Sequence, residues 1–350
     1  QRRPPMDLSI ASLLFVDGRV KGAVYALMAI AIILVFTVTR VLFIAQGEFV
    51  VFGVVTLAQL QLGKVPSAVW LVAIMAVACV VQEIWNGIRR GTVLQDVAMA
   101  CGRVLAVPAI VVALAAWLGP LKAPLAVQVL LTLAIITPMG SMLYRLVYRS
   151  LATSTVLTLL IVSVGVHFAL TSLALAFFGP EGFRTPSFFD ATWSLGDISI
   201  NSQSAIVIGV AAVLIALLFW LFTRTFRGMS LRATAVNQLG ARIVGISAEK
   251  AGMLSFALAA GVGALSGVLI GPTTTVFYDT GFLIGLKGFV AAVFAGLASF
   301  PGALAGAIVV GLIESFGSFW ASAFKESIVF AAIIPILLWR SLLNRGSEEH

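Results

Sequence analysis

Charge, cysteine and histidine are all scarce in this sequence, and each shortage removes a class of function. Of 350 residues, 22 are Lys or Arg and 14 are Asp or Glu, 10% in all, against roughly 25% in an ordinary soluble domain. The hydrophobic share is 61% and the mean hydropathy +1.10. No water-soluble fold hides that much apolar surface, so the bilayer is the natural solvent. The two cysteines, Cys79 and Cys101, have no metal-ligand spacing and fall in or near apolar runs, as packing residues do. The His, Cys and carboxylate residues form no triad or metal spacing, and there is no nucleophile elbow, which argues against an enzyme. Gly63 and Lys64 are followed by Val65 rather than a phosphate-cradling loop, so no ATP-hydrolysing motor is encoded. A net charge of +8 suggests nucleic acid at first sight. The basic residues are instead spread between apolar runs, as in the loops of a membrane protein.

What is present is a series of continuous apolar runs, too long and too unbroken for the alternating strands of a barrel. Candidate spans are 19–39, 47–63, 66–85, 103–119, 123–144, 154–178, 203–223, 251–271, 284–299, 302–320 and 326–340. The expected fold is all-α: a single polytopic membrane domain over 1–350, with about ten transmembrane helices, since some runs are near the lower limit for crossing. Arg2 and Arg3 precede an apolar stretch at 8–16 that reads as a short leading helix rather than a cleaved signal. Arg40, then Arg89, Arg90 and Arg103, then Arg145 and Arg149, then Arg224, Arg227, Arg232 and Arg242, then Arg340 and Arg345 fall at alternate span ends. The positive-inside rule places those ends and the C-terminus in the cytoplasm. It places the 179–202 loop, with Glu181, Asp190, Trp193 and Asp197, outside.

Glycine is plentiful where helices must approach. Gly18 and Gly22, Gly263 and Gly267, Gly281 and Gly285, and Gly302 and Gly306 are small-xxx-small pairs. They fit either packing within the chain or a subunit seam in 281–317. Ionisable residues inside spans are few, and each is a functional candidate because burial in hydrocarbon is costly. Glu48 follows Gln46 and Gly47 at the start of a run, where it is either a helix N-terminal charge or a pathway residue. His167 lies mid-span, either hydrogen-bonded between helices or contacting a solute. Glu314 sits near a span end, where reaching water is the simple reading. Lys287 is placed to snorkel or to pair with Glu48 or Glu314. Tyr278 and Asp279 fall in an outer loop, where polar groups could meet a solute or a delivery protein.

One polar interruption stands out: "SLRATAVNQLGARIVGISAEK", residues 230–250. Leu231, Ala235, Leu239 and Ile243 recur every four residues, which predicts one amphipathic helix, with Gly245 ending it. The charge rule puts it in the cytoplasm between two spans. It is either a helix resting on headgroups through Arg232 and Arg242 or a knob of small residues offered to a soluble partner. The residues alone leave the two readings level.

The stretch "RATAVNQLGARIVGISAEKAGMLSFALAAGVGALSGVL" resembles the cytoplasmic coupling region and following helix of the LIV-type ABC-importer permeases, the branched-chain amino acid family. "GAVYALMAIAIILVFTVTRVLFIAQGEFVVFG" resembles the opening of that family, "TSTVLTLLIVSVGVHFALTSLALAFFGPE" its central span, and "LKGFVAAVFAGLASFPGALAGAIVVGLIES" its late glycine-rich pair. The four matches keep the family's order from about residue 18 to 340. The resemblance implies an inner-membrane permease subunit of an ATP-driven importer. Its implied solute is a small polar one, branched-chain or related amino acids first, with urea, amides and small organic or aromatic acids as alternatives. It implies no cofactor in this chain: ATP and Mg would be bound by separate ABC ATPase subunits. A periplasmic solute-binding protein and a second homologous permease, or a second copy, would complete the assembly, with lipid around it and no nucleic acid.

The coupling region, 230–247, would contact the ATPase through Arg232, Ala233, Asn237, Gly240, Ala241, Arg242, Gly245 and Ile246. Gln46, Gly47, Glu48, His167, Lys287 and Glu314 are the candidate pathway residues. The sequence departs from the family at Gln46, where His is usual, in a longer stretch over 65–125, and at the C-terminal end, where Arg-Pro and Gly-Leu are absent. An ion-coupled secondary transporter is the other class. It would need intramembrane acidic relays, for which only Glu48, Glu314 and His167 are at hand.

Overall fold

The computed structural model describes residues 8–91, 94–189, 191–195, 198–297, 299–335 and 337–338. Arg2, Arg3, Asp190, Asp197, Arg340 and Arg345 lie outside them. The helices run in the order α1 (Leu8–Thr39), α2 (Glu48–Gln61), α3 (Ala68–Arg90), α4 (Leu94–Leu118), α5 (Leu125–Leu143) and α6 (Val156–Phe178). Two short strands follow, β1 (Thr192–Leu195) and β2 (Ile198–Asn201), paired antiparallel with Trp193 opposite Ile200. Then come α7 (Ser202–Arg224), α8 (Phe226–Val236), α9 (Gln238–Ile243), α10 (Ala248–Ile270), α11 (Thr280–Phe294), α12 (Phe300–Trp320) and α13 (Lys325–Ala331). Apart from that ribbon the described fold is helical.

Nine helices among the described residues are long and apolar enough to cross a bilayer, namely α1 to α7, α10 and α12. The helix at 284–299 in the sequence reading is α11, a shorter apolar helix of 15 residues. The stretch at 326–340 is helical over Lys325–Ala331, with part of its far end outside the described residues. The leading helix at 8–16 and the first span are not separate. Asp17 and Lys21 form an i,i+4 ion pair at 2.8 Å, and Gly18 lies within the same continuous α1. The long 65–125 stretch is an α3–α4 hairpin, broken at Gly91, whose φ of +64° an L side chain would strain to adopt.

Helix starts follow from local chemistry. Thr155, Thr225, Asn237, Ser247 and Ser299 each accept a hydrogen bond from the backbone N–H three residues on, satisfying one of the donors a helix leaves open. Pro108 and Pro138 sit inside α4 and α5, as membrane helices tolerate.

The chain folds as two compact units. The first comprises 1–33, 187–218 and 283–350. Within it α1 packs on α12 through glycine: a Cβ at Gly22 would lie 2.9 Å from Ile308 Cα, and one at Gly311 would overlap the backbone of Gly18 and Gly22. Ser315 Oγ adds a hydrogen bond to the Leu14 carbonyl at 2.8 Å. The second unit comprises 34–186 and 219–282. Here α10 packs on both α5 and α2, and the glycines are again the points of approach. A Cβ at Gly140 would overlap the Phe256 carbonyl, and one at Gly267 the Val50 carbonyl. Phe43, Tyr144, Tyr148 and Phe256 stack around this seam, with Phe43 and Phe256 centroids 5.0 Å apart. Gly18, Gly22, Gly263 and Gly267 thus serve packing inside the chain, where van der Waals contact replaces a hydrophobic force.

Candidate functional site

The first cluster lies in the second unit. A 3-10 turn, Ile44–Gly47, feeds directly into α2, so Gln46, Gly47 and Glu48 stand at the opening of that helix. A carboxylate there meets free backbone amides and the positive end of the helix dipole. Glu48 is fully buried, and its Oε1 lies 2.9 Å from His167 Nδ1 on α6. Thr171 Oγ1 reaches the same nitrogen at 3.4 Å. The His167 ring packs on Phe282, centroids 4.8 Å apart. Gln46 Nε2 donates to the Ala259 carbonyl of α10 at 2.7 Å. Glycine makes the room: a Cβ at Gly263 would sit 3.0 Å from Gln46 Nε2, and one at Gly281 would sit 2.7 Å from the Gly47 carbonyl.

Two acceptors in this cluster have no hydrogen-bond partner, Glu48 Oε2 and Gln46 Oε1. Buried oxygens in that state call for a donor that the described residues do not supply. Glu48 is thus a helix N-terminal charge, one of the two readings the sequence allowed, and in addition one half of a buried pair with His167. His167 hydrogen-bonds between helices.

The second cluster lies in the first unit. Lys287 on α11 donates to Glu314 Oε1 of α12 at 2.9 Å and to Glu326 Oε1 of α13 at 3.2 Å. The Tyr25 hydroxyl of α1 donates to Glu314 Oε2 at 2.5 Å. Two expectations change here. Glu314 does not reach water, being only 5% exposed, because α13 folds back over the end of α12. Lys287 does not snorkel, because two carboxylates hold its ammonium inside. Of the two partners weighed for it, Glu314 is the one it contacts.

The polar segment at 230–247 is not one helix. The chain breaks at Asn237, which turns extended (φ −151°, ψ 102°) and caps α9 by accepting from the Gly240 N–H at 2.9 Å. The break overturns the single apolar stripe. Leu231 on α8 is buried at 1%, whereas Leu239 and Ile243 on α9 are exposed at 70% and 78%. The Asn side chain competes with the helix for the backbone, as such residues do. The inward face is instead Leu231, Thr234 and Ala241. Arg232, Arg242 and Gly245 are exposed, Ala233, Gly240 and Ile246 half-buried, and Gly245 takes φ +86° where α9 ends, as expected. Gln238 Nε2 ties the pair to the end of α1 through the Val38 carbonyl at 2.9 Å.

Behind α9 lies a cavity of about 250 Å³, lined in part by Thr39, Tyr144, Arg149, Gln238, Arg242 and Glu249. Arg149, on its wall, is held by two carboxylates, with Nη1 3.1 Å from Glu83 Oε1 and Nε 3.0 Å from Glu249 Oε1. Tyr278 and Asp279 precede α11, in a loop held by paired backbone hydrogen bonds between Phe183 and Val276.

The sequence reading missed Tyr25, Glu326 and Glu83. Two of them had a signal: Tyr25 is the one tyrosine in its apolar run, and Glu83 is a charge within a span. Arg145 and Arg149 were read only as orientation markers, though they contact Glu83.

Buried polar pairs between helices, a body of helices long and apolar enough to cross a bilayer and a polar helical pair between two of the spans define a multi-pass membrane protein. The family model for the branched-chain amino acid transport system permease component matches residues 95–338. The chain belongs to that family. It is 32% identical to the high-affinity branched-chain amino acid transport system permease protein LivH of Escherichia coli over 207 residues, 57% of this chain and 67% of the relative. The corresponding protein BraD of Pseudomonas aeruginosa is 29% identical over 219 residues, 60% of this chain and 71% of that one. The xylose/arabinose import permease protein XylH of Sulfolobus acidocaldarius is 26% identical over 235 residues, 64% and 62% of the two chains. No solved structure gives a significant match.

Proposed function

We propose that the chain is the membrane subunit of an ATP-driven importer in a bacterial inner membrane, passing branched-chain or related amino acids. The observation that carries the reading is the α8–α9 pair. It lies between two spans, and its turn at Asn237 leaves Leu239, Ile243 and Val244 facing outward at more than two-thirds exposure. A helix that merely rested on headgroups would present one apolar stripe. This pair buries part of its stripe against the chain and offers the rest as a compact knob, the shape a cleft in a soluble ATPase subunit would accept. Arg232, Asn237, Arg242 and Gly245, all exposed, would surround the contact, and Ala233, Gly240, Ala241 and Ile246 would support it from beneath.

ATP and Mg would be bound by that partner. A second permease subunit, homologous or identical, and an external solute-binding protein would complete the assembly. Arg40, Arg89, Arg145 with Arg149, and Arg224 follow or end α1, α3, α5 and α7, which favours a cytoplasmic side for α8–α9 and for the C-terminal end. Gln46, Gly47, Glu48 and His167, with two unpartnered oxygens among them, are the strongest candidates to meet a donor group such as a solute ammonium. Lys287 and Glu314, already paired, fit better as a structural lock on the first unit. The similarity to LivH and BraD supports the amino acid reading. Urea, amides and small acids are the runner-up solutes.

Co-expression with candidate ABC ATPase subunits tests this. A stable complex, and reconstituted uptake that requires ATP, support the importer. Uptake by the chain alone, driven by an ion gradient, would replace it with a secondary transporter.

A further inference from the structure

We propose that a cavity formed by α4, α5 and α10 is a binding site for the phosphate of an anionic membrane phospholipid. The cavity holds about 290 Å³ and is lined by Arg103, Val107 and Pro108 of α4, Ser141 and Arg145 at the end of α5, and Met253 of α10. It lies within the second unit, and its occupant does not depend on which solute is transported.

Arg103 is the anomaly that points to a ligand. It lies within the span Gln95–Leu121, nine residues into α4, about 13 Å along the helix at 1.5 Å per residue. A guanidinium at such a depth needs an anion, a carbonyl or water. Among the described residues Arg103 makes no hydrogen bond or ion pair.

Arg145, on the opposite wall, is poorly served too. One Nη reaches Glu83 at 3.5 Å, and the other donates to the Met253 thioether at 3.6 Å, a weak acceptor. Glu83 is held more closely by Arg149, at 3.1 Å. Arg145 and Arg149 therefore share the two carboxylates Glu83 and Glu249, Arg103 has none, and both Arg103 and the weakly held Arg145 line the cavity.

The rest of the site selects a lipid over a soluble anion. Only 22% of the most apolar window of α4 is buried, and Val107, Ile110, Leu114 and Trp117 are exposed along the helix beyond Arg103. That surface belongs in acyl chains. At the α3 end of the hairpin, the Arg89 guanidinium lies over the exposed Trp85 ring at 5.0 Å, a pairing suited to the headgroup layer. A phosphate between Arg103 and Arg145, with its chain along Val107 and Pro108, satisfies both guanidinium groups in the geometry they favour. Basic pockets between spans are known lipid headgroup sites. The α3–α4 hairpin, unusually long in the sequence, then has a role.

The full chain is purified in detergent, and binding of phosphatidylglycerol and of phosphatidylcholine with the same acyl chains is titrated by native mass spectrometry. Phosphatidylglycerol is expected to bind more tightly and to raise the thermal unfolding temperature. Arg103→Gln, at an exposed and unpartnered position, is expected to weaken phosphatidylglycerol about fivefold, the ratio that roughly 1 kcal/mol per basic side chain corresponds to, and phosphatidylcholine, whose choline offsets its phosphate, by less. Equal binding of the two lipids, or unchanged phosphatidylglycerol binding in Arg103→Gln, overturns the proposal. So does glycerol phosphate competing as well as the whole lipid, which would make this a soluble anion site.

Discussion

His167 Nδ1 and Glu48 Oε1 stand 2.9 Å apart, joining the opening of α2 to the middle of α6 across 119 positions of sequence. An exposed pair of this kind adds little to stability. Glu48 is fully buried and His167 nearly so, and there the loss of one partner strands the other.

Replacing His167 with Ala should therefore destabilise the chain by about 3–5 kcal/mol, read as a lowered midpoint of denaturant unfolding in detergent. Glu48→Gln keeps the shape and removes the charge. It should cost less stability than His167→Ala yet abolish ATP-dependent uptake, since the unpartnered carboxylate oxygen is lost. Full uptake in Glu48→Gln would remove this cluster from the pathway.

Lys287 answers two carboxylates and Tyr25 answers one of them. Lys287→Met leaves Glu314 and Glu326 together without their cation, and the expected loss is again about 3–5 kcal/mol. Adding Glu314→Leu and Glu326→Gln should restore much of it. If the single variant melts like the parent, the lock has no energetic weight.

The seam between α5 and α10 leaves no space at Gly140, where an added Cβ would overlap the Phe256 carbonyl. Gly140→Val should cost at least the 1–3 kcal/mol typical of overpacking and reduce the folded yield. Gly165 and Gly209 face open space, and Ala at either should change the unfolding free energy by less than about 1 kcal/mol. Fluorescence-detected size exclusion and a melting series compare them directly.

How much of this was legible depended on the kind of signal. Span existence followed from apolar length alone, and the C-terminal end of α9 was marked by Gly245. The break at Asn237 was not legible, because Leu231, Leu239 and Ile243 keep helical spacing across it. Only the competition of one short side chain for the backbone splits them. The clustering of Gln46, Glu48 and His167 was legible as three unusual residues but not as one site, since more than a hundred residues separate its parts. The Lys287–Glu314 pair was one of two weighed, but the part of Glu326 was hidden because α13, which carries it, looked like another crossing. Arg103 and Arg145 announced an orientation, whereas their shared cavity exists only once α4, α5 and α10 are assembled.

The α8–α9 knob is the centre of the account, and it is tested most directly through its exposed apolar residues. Leu239→Asp with Ile243→Asp removes the proposed contact while sparing Ala241, which is buried and would disturb folding if enlarged. The measurement is solute-stimulated ATP hydrolysis by the reconstituted assembly, beside the thermal unfolding temperature of the variant chain. An unchanged unfolding temperature is expected, with stimulation lost and the ATPase subunits no longer co-purifying. Full stimulation with both aspartates in place would contradict it.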